Sequence, residues 1–139
     1  MIVECCVYRC LWGRLPALLN RFETATLKLF EKHAIRPAGF FTTMAGESHL
    51  ELTYFLIWEA LAEKERKWLA FLNDPDWKVA LAKSVEDGQI VLTASSQLFA
   101  PTAFATNILG VPLRREPANS IADDSESRDG SLTIRSNRI

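Results

Sequence analysis

Glu4 and Tyr8 stand four residues apart near the start of the chain, and Tyr54 and Trp58 repeat that spacing further on. On a β-strand, where alternate side chains share a face, each pair lies on one side. A carboxylate set in a half-apolar cavity has a raised pKa and serves as a general base, while a neighbouring phenol stabilises a developing oxyanion. Glu4, Tyr8 and Tyr54 are therefore the candidates for acid–base chemistry, and Tyr8, Phe40, Thr42, Tyr54 and Trp58 the candidates to line a ligand. The competing assignment pairs Glu4 with an arginine across a subunit boundary and makes the aromatics filling. Structural ion pairs often mimic sites in this way.

Other chemistries find little footing. His33 and His49 are the only histidines, and a predicted strand between them separates them by on the order of 33 Å, too far to share a metal. The three cysteines, Cys5, Cys6 and Cys10, fall on one predicted strand. Neighbours there point to opposite faces, and Cys6 and Cys10 lie about 13 Å apart, beyond the roughly 7 Å that a disulfide spans. Three core thiols in a reducing compartment are expected, with no zinc spacing. Gly13, Gly39, Gly46 and Gly88 are isolated, so no phosphate-cradling loop is formed, and nothing resembles a nucleophile elbow or a triad. No metal and no bound cofactor are expected.

The elements that must position the candidates follow from periodicity. Residues 2–12 alternate as a strand, with Val3, Cys5, Val7 and Leu11 expected to face the core and Glu4, Cys6, Tyr8, Cys10 and Trp12 the other side. Pro16 opens a helix whose stripe is Leu15, Leu18, Leu19, Phe22, Ala25, Thr26 and Leu29, ending near His33. A strand is expected over 35–45, where Pro37 and Gly39 exclude a helix. The strongest strand spans 50–58 and is apolar on both sides, so both sides need cover. Residues 60–72 form a helix packed through Leu61, Trp68, Leu69 and Leu72, with Glu63 and Lys67 paired on its outer face. Asp74 before Pro75 caps a second helical piece to about residue 83. Asp87-Gly88 then turns into a last strand over 89–99.

A chain of 139 residues, 48% of them hydrophobic, fits one globular domain. A net charge of −1 provides no basic field for nucleic acid or anionic lipid, and no apolar run reaches the length of a membrane span. With no signal-peptide pattern, a cytoplasmic location is expected. All fourteen aromatic residues lie at or before position 104. Residues 105–139 are polar and expected to be mostly disordered, although 108–113 can dock as one extended piece. Removing everything after Phe104 is expected to leave the melting temperature nearly unchanged.

Strand, helix, strand, strand, helix, strand is the split βαβ order of a ferredoxin-like α+β sandwich: a four-stranded antiparallel sheet with helices on one face. The face without helices is expected to carry Tyr8, Trp12, Leu52, Tyr54, Leu56 and Trp58. That is too apolar for a monomer surface, and a second copy is its simplest cover. The segments MIVECCVY, GFFTTMAGE, IWEALAEKERKW, DPDW and FAPTAF resemble the NIPSNAP domain of the dimeric α/β-barrel superfamily over residues 1–104. The resemblance implies a protomer that dimerises through its sheet around a cavity. Members of that family often have Arg at position 6, His at 54 and Trp at 56, where this chain has Cys6, Tyr54 and Leu56, a more apolar set. Wider relatives include cofactor-independent oxygenases, lactone isomerases and haem-binding enzymes, so the architecture alone selects no reaction.

Two functions follow as expectations. One is a homodimer that binds or converts a small aromatic or polyketide-like molecule in the barrel cavity without a cofactor. The other is a non-enzymatic interaction or scaffold protein acting through its surface helix or C-terminal tail. A void of about 300 Å³ or more beside Glu4 and Tyr54 favours the first, and a packed interior the second.

Overall fold

The computed structural model describes residues 1–113, and the expectation of a disordered tail falls largely on 114–139, outside the described residues. The strands are β1 (Ile2–Cys10), β2 (Arg36–Thr42), β3 (Glu51–Trp58) and β4 (Val91–Phe99). Between them run α1 (Leu15–Arg21), a π-helical turn (Phe22–Thr26), α2 (Leu27–Lys32), α3 (Leu61–Asn73) and α4 (Pro75–Ser84). The sheet order is β2-β3-β1-β4 with every neighbouring pair antiparallel. This is the ferredoxin-like α+β sandwich, with β3 inserted between the two strands joined by the first helix.

The assignment of the sheet's two faces is reversed from the sequence expectation. Register pairs Glu4 with Leu56, Cys6 with Tyr54 and Tyr8 with Leu52, and these residues face the helices. Cys6, Cys10, Leu52, Tyr54, Leu56 and Trp58 are buried there with Leu18, Phe22, Phe30 and Phe71. The alternate set, Val3, Cys5, Val7, Thr53, Phe55 and Ile57, occupies the face without helices. Glu4, Tyr8, Tyr54 and Trp58 therefore lie inside the protomer, between helices and sheet, and not on a bare face awaiting a second copy. Volume explains the choice: the gap between helix and sheet layers is filled at native density only by the larger side chains of the two alternating sets. Trp12, placed on the same face by alternation, lies past the strand end and is 89% exposed.

The first helix is continuous but changes pitch. The π-helical turn inserts one residue, so the buried positions run Leu18, Arg21, Phe22, Thr26, Leu29 and Phe30, and Leu19 is left exposed. On α3 the expected apolar contacts are largely displaced: Phe71 is the buried residue, Trp68 is half-buried, and Leu61, Leu69 and Leu72 are exposed. The Glu63–Lys67 pair forms as expected, at 2.5 Å.

Asp74 caps α4 as expected, accepting from the Asp76 N–H at 2.9 Å. It also ties α4 to the end of α2, with Lys32 Nζ and His33 Nε2 each 2.7 Å from its Oδ2. Lys32 first, then the Asp76 N–H and His33, hold its carboxyl down at about 2. Because the folded-state value is depressed, this stabilisation is complete above the unfolded aspartate range near pH 4 and is lost as pH falls toward about 2. In thermal melts, the deficit of an Asp74→Asn variant is expected to be constant from pH 7 to 5 and to close below pH 4. A deficit unchanged at pH 2 would show that Asp74 acts only through its neutral hydrogen bonds.

On the face without helices, β5 (Asn107–Ile108) and β6 (Val111–Pro112) form a two-stranded hairpin. Its turn places both Leu109 (φ 50°) and Gly110 (φ 79°) in the left-handed region, the geometry that suits a two-residue hairpin loop. Leu109 lies over Gly39, where an added Cβ would sit 2.6 Å from Leu109 Cδ1. Val3, Ala38, Ile57 and Leu113 are buried beneath the hairpin. Among the described residues no helix is long and apolar enough to cross a membrane.

Candidate functional site

Adjacent strands bring Glu4 and Trp58 together at one end of the helix–sheet layer, and Tyr8 and Tyr54 in its middle. Glu4 is 4% exposed, and both its oxygens are engaged: Oε2 accepts from Trp58 Nε1 at 2.7 Å, and Oε1 accepts from Ser96 Oγ at 2.6 Å. Lys64 Nζ approaches Oε1 at 3.6 Å. The carboxylate is thus partnered within one protomer, by a lysine and two neutral donors, with no need of an arginine from a second copy.

Tyr54 is fully buried, and its hydroxyl donates to that of Tyr8 at 3.1 Å. Burial raises the pKa of both phenols, and burial followed by the Glu4 charge pushes the neighbouring Cys6 thiol up to about 12. All three groups therefore keep their protons at neutral pH, and the tyrosines act as donors, not bases. One proton serves the Tyr54–Tyr8 bond. The Cys6 thiol is a further hydrogen-bond partner of the Tyr54 hydroxyl.

That pair borders a cavity of about 80 Å³, walled by Phe22, Thr26, Phe30, Trp68, Phe71 and Trp77 and by the Arg21 side chain. The walls form a chain of ring contacts, from Tyr8–Tyr54 at 5.4 Å through Phe22–Tyr54 at 5.3 Å to Phe71–Trp77 at 4.7 Å. The π-helical turn supplies Phe22 and Thr26, and turns of this kind are frequent at functional sites. Phe40 stacks on Tyr54 at 5.6 Å from β2 but lies outside the cavity, partly exposed. Thr42 is exposed at the end of β2. Of the six candidate residues, only Tyr8 and Tyr54 line the cavity.

Arg21 is the residue that sequence reasoning missed. It is 7% exposed. Its Nη1 donates to Ser84 Oγ at 3.2 Å, its Nε has no hydrogen-bond partner among the described residues, and Trp77 lies 5.6 Å from its Cζ. Burial lowers its pKa. The available signal was a cation at the i+3 position of the stripe Leu18–Phe22–Ala25, where an apolar residue is the norm. Among the described residues no group of three or more His, Cys, Asp or Glu is arranged to hold a metal ion.

Sheet order and helix placement define a ferredoxin-like α+β protein with its polar groups gathered between the layers. The NIPSNAP family profile matches residues 3–106, and the chain belongs to that family. It is similar to a solved, uncharacterised NIPSNAP domain protein of Burkholderia xenovorans (20% identity, 76% of this chain and 98% of that one, TM-score 0.66). A NIPSNAP family protein of unknown function from Agrobacterium tumefaciens matches similarly (22% identity, 76% and 91%, TM-score 0.66). A more distant match is a Nitrosomonas europaea protein proposed to be an antibiotic biosynthesis monooxygenase (6% identity, 73% and 98%, TM-score 0.52). At these identities the likeness is one of fold. No curated protein matches the chain.

Proposed function

We propose that this NIPSNAP protein binds a small aromatic or polyketide-like molecule between its helices and its sheet, using its own side chains and no resident cofactor. The observation carrying this reading is the polar set at the cavity: two protonated tyrosines and the buried Arg21, whose Nε has no partner among the described residues, inside a layer otherwise walled by aromatic rings. Proteins leave few buried donors unmatched, and an unmatched one facing a cavity suits an acceptor brought by a ligand. Binding fits better than conversion, since the carboxylate that would serve as base, Glu4, is committed to Trp58 and Ser96.

The interaction-protein reading draws on one observation, the small size of the cavity. About 80 Å³ beside Tyr54 is well short of a ligand-sized void, so binding requires the aromatic walls to part or the ligand to extend outward. Pairing of two copies is part of the proposal but moves to the other face. Phe41 and Phe99, each nearly half exposed, flank Cys5, Val7 and Phe55 there, next to the area covered by the hairpin.

Native mass spectrometry of the purified full chain reads both points. A two-chain species carrying an extra mass of a few hundred daltons is expected. An apo species that takes up no member of an aromatic ligand panel would favour the interaction protein, and a monomer at micromolar concentration would remove the pairing.

A further inference from the structure

Arg21 separates two spaces. On its inner side is the cavity with Tyr8 and Tyr54, and on its outer side is a groove of about 760 Å³ between α1 and α4. We propose that Arg21 is the recognition residue for a carboxylate, and that the ligand is a small organic acid whose apolar body lies in this groove with its carboxylate on the guanidinium. The inference rests on the binding reading proposed above, extends that site outward past Arg21 into the groove, and specifies the chemistry of what enters it.

A buried guanidinium is normally paired with an anion, because burying a lone charge is costly. Here no carboxylate forms an ion pair with Arg21 among the described residues. With Nη1 held by Ser84 Oγ, whose own proton goes to the Leu81 carbonyl at 2.7 Å, the guanidinium is fixed in orientation. Nε is buried with no acceptor among the described residues, and Nη2 has no acceptor among them either. Two parallel N–H donors on one edge match the two oxygens of a carboxylate. The Trp77 ring 5.6 Å away offers only partial compensation.

The surroundings select among anions. Ala17, Ala25 and Ala80 leave room between α1 and α4 for a flat body. The rim carries Asp76, Glu86 and Asp87 against one cation, Lys83. Asp76 lies 3.5 Å from Lys32, and Asp87 is bound to Arg14 at 2.9 Å, so neither is turned onto Arg21. A single buried guanidinium matches the charge of a monoanion and leaves half the charge of a phosphate dianion unpaired. The π-helical turn begins at the residue after Arg21 and widens the helix where the two spaces meet.

The test uses two probes of matched shape, 2-naphthoate and neutral 2-naphthamide, titrated calorimetrically into the full-length protein. The acid is expected to bind about tenfold or more tightly than the amide, as one bidentate charge-assisted pair provides. Arg21→Gln should abolish that preference, and Arg21→Lys should retain part of it. Should Arg21→Gln fail to fold, the acid–amide ratio in the unmutated protein and the shift of the Arg21 Nε–H signal in ¹⁵N NMR decide the matter without it. Equal binding of both probes, or an unmoved Nε–H signal at saturation, would overturn the carboxylate assignment and leave the binding site standing. Binding of neither probe would remove both.

Discussion

Replacing Trp58 by alanine is expected to cost about 3–5 kcal/mol in urea denaturation, a large share of the total stability of a domain this size. Trp58 is 0% exposed, on the helix side of a central strand, so truncation opens a cavity that a sheet paired on both sides cannot collapse to fill. A second loss comes from its indole N–H, which donates at 2.7 Å to Glu4. Trp58→Phe separates the two contributions. It keeps most of the ring but leaves Glu4 Oε2 without that donor, and a loss of about 1–3 kcal/mol is expected. A loss below about 1 kcal/mol for Trp58→Ala would contradict the placement of this face under the helices.

The architecture was legible because each element carries its own punctuation. Pro16 starts the first helix, Asp74-Pro75 starts α4, and Asp87-Gly88 ends the helical half. What alternation does not encode is which side of a two-sided apolar strand lies under the helices. On β1, Val3, Cys5 and Val7 make as good a core as Cys6, Tyr8 and Cys10 when each is read alone. The difference arises from distant partners, Trp58 and Ser96 for Glu4 and Leu18, Phe22 and Phe30 for the large rings. The same limit hid most of the candidate site. Tyr8 and Tyr54 stand out in the sequence as an unusual polar pair, whereas Arg21 does not. Its burial depends on α4 packing across α1 and on a π-helical turn that sequence periodicity does not reveal.

The expected outcome of truncation also changes, because composition alone made residues 105–113 look dispensable. A chain ending at Phe104 is now expected to melt about 8–15 °C below the full chain, corresponding to roughly 2–3 kcal/mol net of the ordering cost of the removed segment. Leu113 is 8% exposed, and it covers Val3 and Ile57, at 7% and 2%. Removing it with Ile108 and Val111 returns to water an apolar strip running across β1, β3 and the start of β2. Its N–H also donates to the Thr106 carbonyl at 3.2 Å, closing the hairpin on itself. A chain ending at Leu113 keeps all of these contacts and should melt with the full chain. If both truncations melt together, the hairpin contributes nothing and the open sheet face is larger by its footprint. If the shorter chain alone is destabilised and also self-associates more strongly, the hairpin limits how much of that face a second copy can use.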